Sequence, residues 1–345
     1  MVSEAPPFWW SKPDWRAWML SPASWVYGRV ARNRMENAPR KQVTAPVLCV
    51  GNFTVGGAGK TPTALALAAA AKRAGLVPGF LSRGYRGSLR TTTVVDKARH
   101  NARDVGDEPL LLAQKAVTVI TPDRYRGAER LLEQGVDFII MDDGFQSAAL
   151  HFDFALLVVD ANRGIGNGHI IPGGPMRAPL LDQIRNASAL LVIGEGAAAD
   201  NVIRSAGRAA KPVYAARLKT LKPRSFKNRR FLAFAAIGNP GKFFDSLRST
   251  GAEIAIERSF ADHHQFTEEE AAGVLADAAK NELEIVTTSK DMARLRHAHG
   301  KLAELASATR VLEVQLVFER ADLGRDFVDR TVQAFKKRSL NTRPF

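Results

Sequence analysis

The sequence predicts an α/β fold in which helices cover both faces of a mainly parallel β-sheet. Several uninterrupted apolar runs end in a polar residue or a glycine, among them Phe138–Asp142, Ala155–Asp160 and Leu190–Gly194. Runs of this kind are typical of strands that are buried on both faces of a parallel sheet. Stretches with helical patterns separate them, and this alternation indicates an open α/β sheet.

The first predicted strand begins directly after residue 46, and the first predicted helix follows it. Val47–Gly51 is a short apolar run, and Thr61–Gly75 is rich in Ala and Leu and ends at glycine, which predicts a helix with a C-terminal stop. The next predicted elements are the strands Val77–Ser82 and Val117–Thr121 and the helix Arg124–Gln134. Together with the three apolar runs, these elements predict a first domain over residues 36–220.

A second series of strands and helices begins at Phe231 and indicates a smaller α/β domain over residues 221–319. After the strand at Phe231, its predicted elements are the strand Ile254–Arg258, the helix Thr267–Ala279 and the strand Glu284–Thr288. We expect the flanking segments Val213–Lys219 and Arg310–Glu319 to pair as a two-stranded connector. The last helix, Asp326–Lys337, would then return to the first domain within residues 320–345.

Length and composition agree with two folded domains that meet an anionic partner. The chain has 345 residues, and a domain holds roughly 150. Its formal net charge of +14 favours nucleic acid, a phosphorylated substrate or an acidic membrane surface. No nucleic-acid motif with interleaved aromatic residues accompanies the charge, so we expect no nucleic-acid partner. The single cysteine, Cys49, excludes an internal disulfide, and its apolar neighbours indicate buried packing. No apolar run reaches the roughly 18 residues of a membrane span.

Residues 1–35 are unusual because they contain every tryptophan of the protein: Trp9, Trp10, Trp15, Trp18 and Trp25. Ser21-Pro22 predicts a helix start, with Ser21 as the cap. Basic side chains are interspersed, namely Lys12, Arg16, Arg29, Arg32 and Arg34. Aromatic residues favour the membrane boundary and basic residues favour anionic lipid, so this pattern predicts an amphipathic segment that lies on a membrane without crossing it. The alternative is a helix that packs its tryptophans against the protein's own core.

The sequence "NFTVGGAGKTP", Asn52–Pro62, lies between the first strand and the first helix and has the pattern of a phosphate-binding loop. Gly59-Lys60-Thr61 fits that pattern, whereas Thr54 stands where the first glycine is usual. Backbone N–H groups and glycines at a helix start favour phosphate. We therefore expect a P-loop fold that binds ATP through Thr54, Val55, Gly56, Gly57, Ala58, Gly59, Lys60 and Thr61. Lys60 would reach the phosphates, and Thr61 would hold Mg²⁺.

Acidic residues at two further places could complete such a site. In "FIIMDDGFQ", Asp142 and Asp143 end an apolar strand, and this position suits a carboxylate that holds the metal. The alternative interpretation is an ordinary strand end followed by an Asp-Gly turn. Asp107 and Glu108 precede an apolar helix, where acids commonly act as helix caps. The other interpretation is a base that accepts the proton of a substrate hydroxyl.

Two loops supply further polar side chains. Arg177 lies in the Gly/Pro-rich loop "GNGHIIPGGPMRAP", where an arginine could stabilise phosphate charge. "FADHHQF" offers Asp262, His263 and His264 in a polar turn of the second domain; such histidines are usually surface polar, and no further ligand spacing supports a metal site there.

Together these motifs resemble the tetraacyldisaccharide 4′-kinase family of lipid A biosynthesis. The resemblance rests on "VGNFTVGGAGKTP", "LSRGYRG", "VGDEP", "TPDRY", "MDDGFQ", "GNGHIIPGGPMRAPL", "FADHHQF" and "TTSKDMARL", which occur in order along most of the chain. It implies two α/β/α domains with the active site between them, and a kinase that transfers the γ-phosphate of ATP to the 4′-hydroxyl of a tetraacylated glucosamine disaccharide 1-phosphate. It also implies work at the cytoplasmic face of the bacterial inner membrane, with no obligate protein partner.

The resemblance further implies roles for individual residues. Lys60 and Thr61 hold phosphates and Mg²⁺, and Asp142 ligates the metal. Asp107 is the catalytic base and His263 its partner. The remaining matches to active-site positions are Glu108, Arg124, Asp143, Gln146 and Arg177. Ala178 and Ser289 depart from the family pattern, which usually has an acid at each position.

A second hypothesis, from a different class of protein, stays open. The phosphate loop and "DDGFQ" also suit a P-loop nucleotidase switch that binds a protein or metal partner. Such a switch does not predict the tryptophan-rich start or a base paired with a histidine of the second domain.

Overall fold

The computed structural model describes residues 5–147 and 149–341. Its strands are β1 Val47–Asn52, β2 Pro78–Ser82, β3 Thr93–Val94, β4 Val117–Ile120, β5 Phe138–Asp142, β6 Phe154–Asp160, β7 Ala189–Ile193, β8 Val213–Thr220, β9 Arg230–Ala235, β10 Glu253–Ser259, β11 Glu284–Thr288, β12 Thr309–Leu312 and β13 Val314–Phe318. Its α-helices are α1 Trp15–Met19, α2 Ser21–Asn37, α3 Lys60–Arg73, α4 Ala102–Val105, α5 Asp107–Ala113, α6 Arg124–Glu133, α7 Leu180–Asn186, α8 Asp200–Arg208, α9 Pro240–Arg248, α10 Glu268–Lys280, α11 Ser289–Leu295, α12 Gly300–Ala308 and α13 Leu323–Asn341.

The larger sheet has the order β13-β8-β7-β6-β1-β5-β2-β4-β3. Its strands pair in parallel except at the two edges, where β3 and β13 run antiparallel to their neighbours. Alternate residues of β1 enter different apolar clusters: Val47 and Cys49 join one, and Leu48 and Val50 join the other. The sheet is therefore buried on both faces, and β1 leads into the phosphate loop from its centre.

The smaller sheet has the order β10-β9-β11-β12, and its strand pairs are parallel. We call residues 230–312, which carry this sheet and helices α9 to α12, the small lobe. Helix α10 begins with a capping box in which Thr267 and Glu270 exchange side-chain bonds to backbone N–H groups.

The α/β fold with its parallel sheet is confirmed, and two predicted strands, Phe138–Asp142 and Glu284–Thr288, have the predicted bounds. The predicted pairing of Val213–Lys219 with Arg310–Glu319 is confirmed in part, because the second half of the latter segment pairs with β8 while its first half belongs to the other sheet. Residues up to Leu312 pair with β11 in the small lobe, while β13 pairs with β8 and extends the larger sheet. The last helix does return to the larger sheet, since α13 packs against α3, β1 and β6.

The N-terminal residues form a 3₁₀ turn, Pro7–Trp10, followed by the short helix α1 and the longer helix α2. Ser21 is the first residue of α2 and makes no capping bond, so its predicted role as the cap is wrong. The anchor points of α2 are Ser24, whose hydroxyl donates to the Ile170 carbonyl at 2.8 Å, and Arg32, which pairs with the buried Asp182. No helix within residues 5–147 and 149–341 has the length and apolar character needed to cross a membrane.

Candidate active site

The phosphate loop connects β1 to α3 and is held from outside by the segment around Met176. Thr54 forms an antiparallel bridge with Met176, and the Val55 N–H donates to the Pro175 carbonyl at 2.9 Å. Thr54 is 4% exposed. Because this part of the loop is extended and paired, it does not need the conformational freedom of the missing glycine. Thr54 therefore helps to fix the entrance of the loop.

Gly59 and Lys60 form the turn into α3. Gly59 caps the helix with φ of 92°, and a Cβ atom there would lie 2.7 Å from the Ile193 Cδ1 atom, so a side chain would be both strained and crowded. The buried Lys60 ammonium lies 3.2 Å from Asn52 Oδ1 and 3.8 Å from Asp143 Oδ1. It thus lies within the loop's own polar network.

Asp143 is the carboxylate on which the basic side chains converge. Arg177 donates to both carboxylate oxygens of Asp143, at 2.7 and 3.1 Å. Arg124 Nη2 donates to the backbone carbonyl of Asp143 at 3.1 Å. Burial raises the pKa of Asp143, but the charges of Lys60, Arg177 and Arg124 outweigh burial and hold it well below the usual range. Asp143 therefore remains ionised and aligns these cations.

Its neighbour Asp142, the last residue of β5, is in the opposite situation. It is 1% exposed, and neither carboxylate oxygen has a hydrogen-bond partner among the described residues. Burial, together with the charges of Glu108 and Asp143, raises the pKa of Asp142 to about 7 despite the opposing effect of Lys60. A buried carboxylate without a donor is suited to a cation.

These residues fit the magnesium site that the phosphate loop implies. Within the described residues, no group of three His, Cys, Asp or Glu side chains forms a metal cluster. Mg²⁺ in nucleotide sites usually takes only one or two protein ligands, because phosphates and waters complete its shell. Asp142, with two unpartnered oxygens, and the buried Thr61 hydroxyl at the start of α3 are the protein groups available to hold it.

Asp107 is the first residue of α5, directly after Gly106, which has φ of 90°. One oxygen, Oδ1, accepts the Glu108 N–H at 2.9 Å, so the carboxylate does contact the helix start. The other oxygen, Oδ2, meets His263 Nδ1 at 3.0 Å and Arg294 Nε at 3.0 Å, both from the small lobe. The Asp107 carboxylate therefore links α5 to the small lobe through these contacts.

The charges around Asp107 determine its protonation. Burial raises its pKa, but the hydrogen bond from His263 and the charges of Arg294 and Lys290 outweigh burial and hold it far below the usual range. Asp107 is consequently ionised at neutral pH. Arg294 is itself buried and also donates to the Ala236 carbonyl at 2.7 Å and to Asp291 Oδ1 at 2.7 Å.

Glu108 interacts electrostatically with Asp107 and with Lys60 of the phosphate loop. Its carboxylate pairs with Lys290 of α11, and although burial raises its pKa, the charges of Lys290 and Lys60 lower it overall. Glu108 also raises the pKa of Asp142. These mutual effects place the start of α5 beside the phosphate loop and the end of β5.

The two histidines of "FADHHQF" have different partners. His263, with φ of 60°, faces Asp107, whereas the His264 ring nitrogen Nε2 lies 2.8 and 2.9 Å from the two oxygens of Glu270.

Gln146 donates through Nε2 to the Asn52 carbonyl and to Gln183 Oε1, both at 3.0 Å, and thereby links the loop to α7. The structure thus brings the predicted site residues to one side of the larger sheet.

Sequence reasoning missed Arg294 and Lys290 as partners of the two acids. Both lie in the "TTSKDMARL" segment, and their distance in sequence from Asp107 and Glu108 gave no local signal. It also missed Lys242, whose ammonium contacts Asp160 Oδ2 at 2.7 Å and makes another ion pair between the small lobe and the larger sheet.

The tryptophans of the N-terminal segment divide into two groups. Trp9 donates its indole N–H to the Pro172 carbonyl at 3.0 Å, and Trp10 lies beside the phosphate loop. Trp15, Trp18 and Trp25 are 68%, 64% and 66% exposed. Trp9 and Trp10 therefore pack against the protein, whereas Trp15, Trp18 and Trp25 form an exposed aromatic surface.

A parallel α/β sheet whose central strand leads through a glycine-rich loop into a helix, with acids at the neighbouring strand end, defines a P-loop protein. The tetraacyldisaccharide-1-P 4′-kinase family matches residues 16–333, and the chain belongs to this family.

Relatives along the whole chain bear the same description. The tetraacyldisaccharide 4′-kinase of Rhizobium rhizogenes is 58% identical over 99% of this chain and 96% of its own length. That of Rhizobium meliloti is 55% identical over 99% of both chains. A crystal structure of LpxK from Aquifex aeolicus in complex with ATP is 25% identical, with a TM-score of 0.69 over 91% of this chain and 99% of that one.

Proposed function

We propose that this chain is a lipid kinase that transfers the γ-phosphate of ATP to the 4′-hydroxyl of a tetraacylated glucosamine disaccharide 1-phosphate. Family membership along the whole chain supports this activity, and an ATP-bound structure of a relative supports ATP as the donor. The observation that carries the proposal is the position of Asp107. Asp107 is ionised, and its neighbour Glu108 interacts electrostatically with Lys60 of the phosphate loop; a kinase needs such a carboxylate to accept the proton of an attacking hydroxyl.

The roles of the basic residues follow from their contacts. Lys60 would bind the β- and γ-phosphates, aided by the backbone of the loop Thr54–Thr61. Arg177 and Arg124, which Asp143 aligns, would stabilise the charge on the transferring phosphoryl group. Glu108 and Gln146 complete the polar surroundings of this group.

Thr61 and Asp142 would hold Mg²⁺. The metal, when bound, neutralises phosphate charge and orients the triphosphate. Both carboxylate oxygens of Asp142 lack a hydrogen-bond partner among the described residues, which supports this assignment.

Proton transfer falls to Asp107 and His263. Asp107 would take the hydroxyl proton, and His263 would hold the carboxylate in place through its Nδ1 contact at 3.0 Å. Because the low pKa of Asp107 keeps the carboxylate ionised, the base is ready to act across neutral pH. The small lobe contributes His263, so the complete site would require both parts of the chain.

The lipid acceptor requires access to a membrane. We infer that the exposed surface of Trp15, Trp18 and Trp25 docks the protein on the anionic cytoplasmic face of the inner membrane, where the net charge of +14 assists. This surface would bring the acceptor hydroxyl to the site while the lipid's acyl chains stay in the bilayer.

The proposal is tested by incubating the purified chain with Mg²⁺, γ-labelled radioactive ATP and the detergent-solubilised disaccharide precursor. A labelled lipid product is expected. Labelled inorganic phosphate without labelled lipid would refute the kinase assignment and favour a nucleotidase switch.

A further inference from the structure

Arg163 and Trp10 form a stacked pair over the phosphate loop. The Arg163 guanidinium carbon lies 4.7 Å from the centre of the Trp10 ring. Both residues line a hollow whose remaining walls are residues 54–58 of the loop, with Asp160 and Gly164. A Cβ atom on Gly56 would lie 3.8 Å from the Trp10 ring. The pair therefore borders the exposed glycines of the loop directly.

Three other cations near the loop already have protein acceptors. Lys60 and Arg177 contact the Asp143 carboxylate, and Arg124 donates to the Asp143 carbonyl. Arg163 differs, because its guanidinium has no hydrogen bond or ion pair among the described residues. Asp160, the nearby carboxylate that could pair with it, is bound by Lys242 at 2.7 Å.

Stacking uses the face of a guanidinium and leaves the N–H donors at its edge available. Burial lowers the pKa of Arg163, although the charges of Asp160 and Asp262 oppose the effect. A half-buried cation with unused donors is suited to an anion, and a phosphate matches the planar guanidinium with two parallel hydrogen bonds.

We propose that Arg163 is a phosphate-binding residue for the nucleotide beside the phosphate loop and that Trp10 positions its guanidinium. This inference rests on the proposed function, because it takes ATP to be the ligand of the loop. The phosphate belongs to the nucleotide rather than to a lipid, since five of the nine residues that line the hollow are loop residues 54–58.

The turn that carries Trp10 is fixed to the body of the protein. The Asn167 N–H donates to the Trp9 carbonyl at 2.8 Å, and the Trp9 indole donates to Pro172. Trp10 therefore serves the nucleotide site, whereas the exposed tryptophans further along the segment remain available for other contacts.

The test is calorimetric titration of ATP, ADP and adenosine into the full chain and its variants. Arg163→Ala should weaken ATP and ADP binding by at least about tenfold, since a charge-assisted bond is lost. Adenosine binding should not change, because adenosine has no phosphate. Trp10→Ala should weaken ATP binding less than Arg163→Ala does, because the guanidinium remains but is no longer held.

Arg29→Ala is the matched control. Arg29 also stacks on a tryptophan of the N-terminal segment, Trp25, at 5.7 Å, but it does not line the hollow. This variant should bind ATP like the unmodified chain. Thermal melting checks that each variant is folded, and Arg163→Gln replaces Arg163→Ala if the alanine variant does not fold.

The outcomes separate this inference from the proposed function. If the unmodified chain binds no ATP, the proposed function fails as well. If it binds ATP and a folded Arg163 variant binds ATP equally well, the role of Arg163 is refuted while the kinase proposal stands. A variant that retains ATP affinity but loses binding to vesicles containing a lipid phosphate monoester, measured without nucleotide, would assign Arg163 to the lipid and overturn the inference.

Discussion

The His263 imidazole of the small lobe lies 3.0 Å, Nδ1 to Oδ2, from the Asp107 carboxylate at the start of α5. Arg294, also from the small lobe, contacts the same oxygen. The proposed base is therefore held by groups from a different part of the chain, and its ionisation depends on how the two parts pack. Each assigned role follows from contacts of this kind and can be tested separately.

Replacing Asp107 by Ala should lower turnover by about 10²- to 10⁴-fold, because a positioned proton acceptor is lost. ATP affinity should stay near that of the unmodified chain, since the phosphate loop does not include this side chain. Turnover is measured by lipid labelling and ATP affinity by calorimetry. Unaffected turnover would remove Asp107 from the role of base.

The two adjacent histidines offer a matched pair of variants. His263→Gln should lower turnover because it removes the imidazole that holds Asp107. His264→Gln should leave turnover near normal, since His264 contacts Glu270 instead. Steady-state labelling of the lipid with each variant makes the comparison. Equal losses in the two variants would contradict the pairing of His263 with Asp107.

Asp142 predicts a pH dependence of metal binding. Because its pKa is about 7, the carboxyl is increasingly protonated below that pH and must lose its proton to bind Mg²⁺. Binding of Mg²⁺ in the presence of ATP should therefore weaken by about fivefold from pH 7 to pH 6. Asp142→Asn should bind Mg²⁺ weakly, with this pH dependence removed. A dependence that persists in Asp142→Asn would assign it to another group.

The same residue affects the stability of the metal-free protein. The pKa of Asp142 is higher in the folded chain than the unfolded value of about 4, so the folded state is stabilised below that value and loses this advantage as pH rises to about 7. In EDTA, Asp142→Asn should therefore melt at a higher temperature than the unmodified chain at pH 8. The difference should shrink as the pH is lowered toward 4.

The exposed tryptophans provide a test of membrane docking that leaves the nucleotide site intact. Replacing Trp15, Trp18 and Trp25 together by Ser should weaken binding to anionic liposomes, because most of the exposed aromatic surface is lost. Removing residues 1–34 would also remove Trp10 and disturb the phosphate loop, so the triple variant is the cleaner test. Val77→Ser, at a half-exposed residue outside the segment, is the control. Unchanged liposome binding by the triple variant would contradict docking through this surface.

The sequence predicted the elements that have strong local patterns. The strand Phe138–Asp142 was predicted to its last residue because four apolar residues are followed by two acids and a glycine. The segment Arg310–Glu319 looked like one strand, since no local signal marks Glu313, where the chain passes from one sheet to the other. The domain limits at residues 36–220 and 221–319 stay a prediction.

The site residues that lie within local sequence motifs were predictable. The residues that contact them from far away in the sequence were not. Arg294 lies 187 positions after Asp107, and only folding brings the two side chains together. Trp9 and Trp10 could not be distinguished from Trp15 by composition, because all are tryptophans among basic residues. Their separation follows from tertiary contacts with Pro172 and the phosphate loop.

The position of the new phosphate in the lipid product tests the proposed reaction most directly. After reaction with ATP and the disaccharide 1-phosphate precursor, phosphorus–proton correlation NMR of the purified lipid should show a new monoester on the 4′-oxygen. The Asp107→Ala variant should yield little of it under the same conditions. A product phosphorylated elsewhere, or ATP hydrolysis with unmodified lipid, would contradict the account.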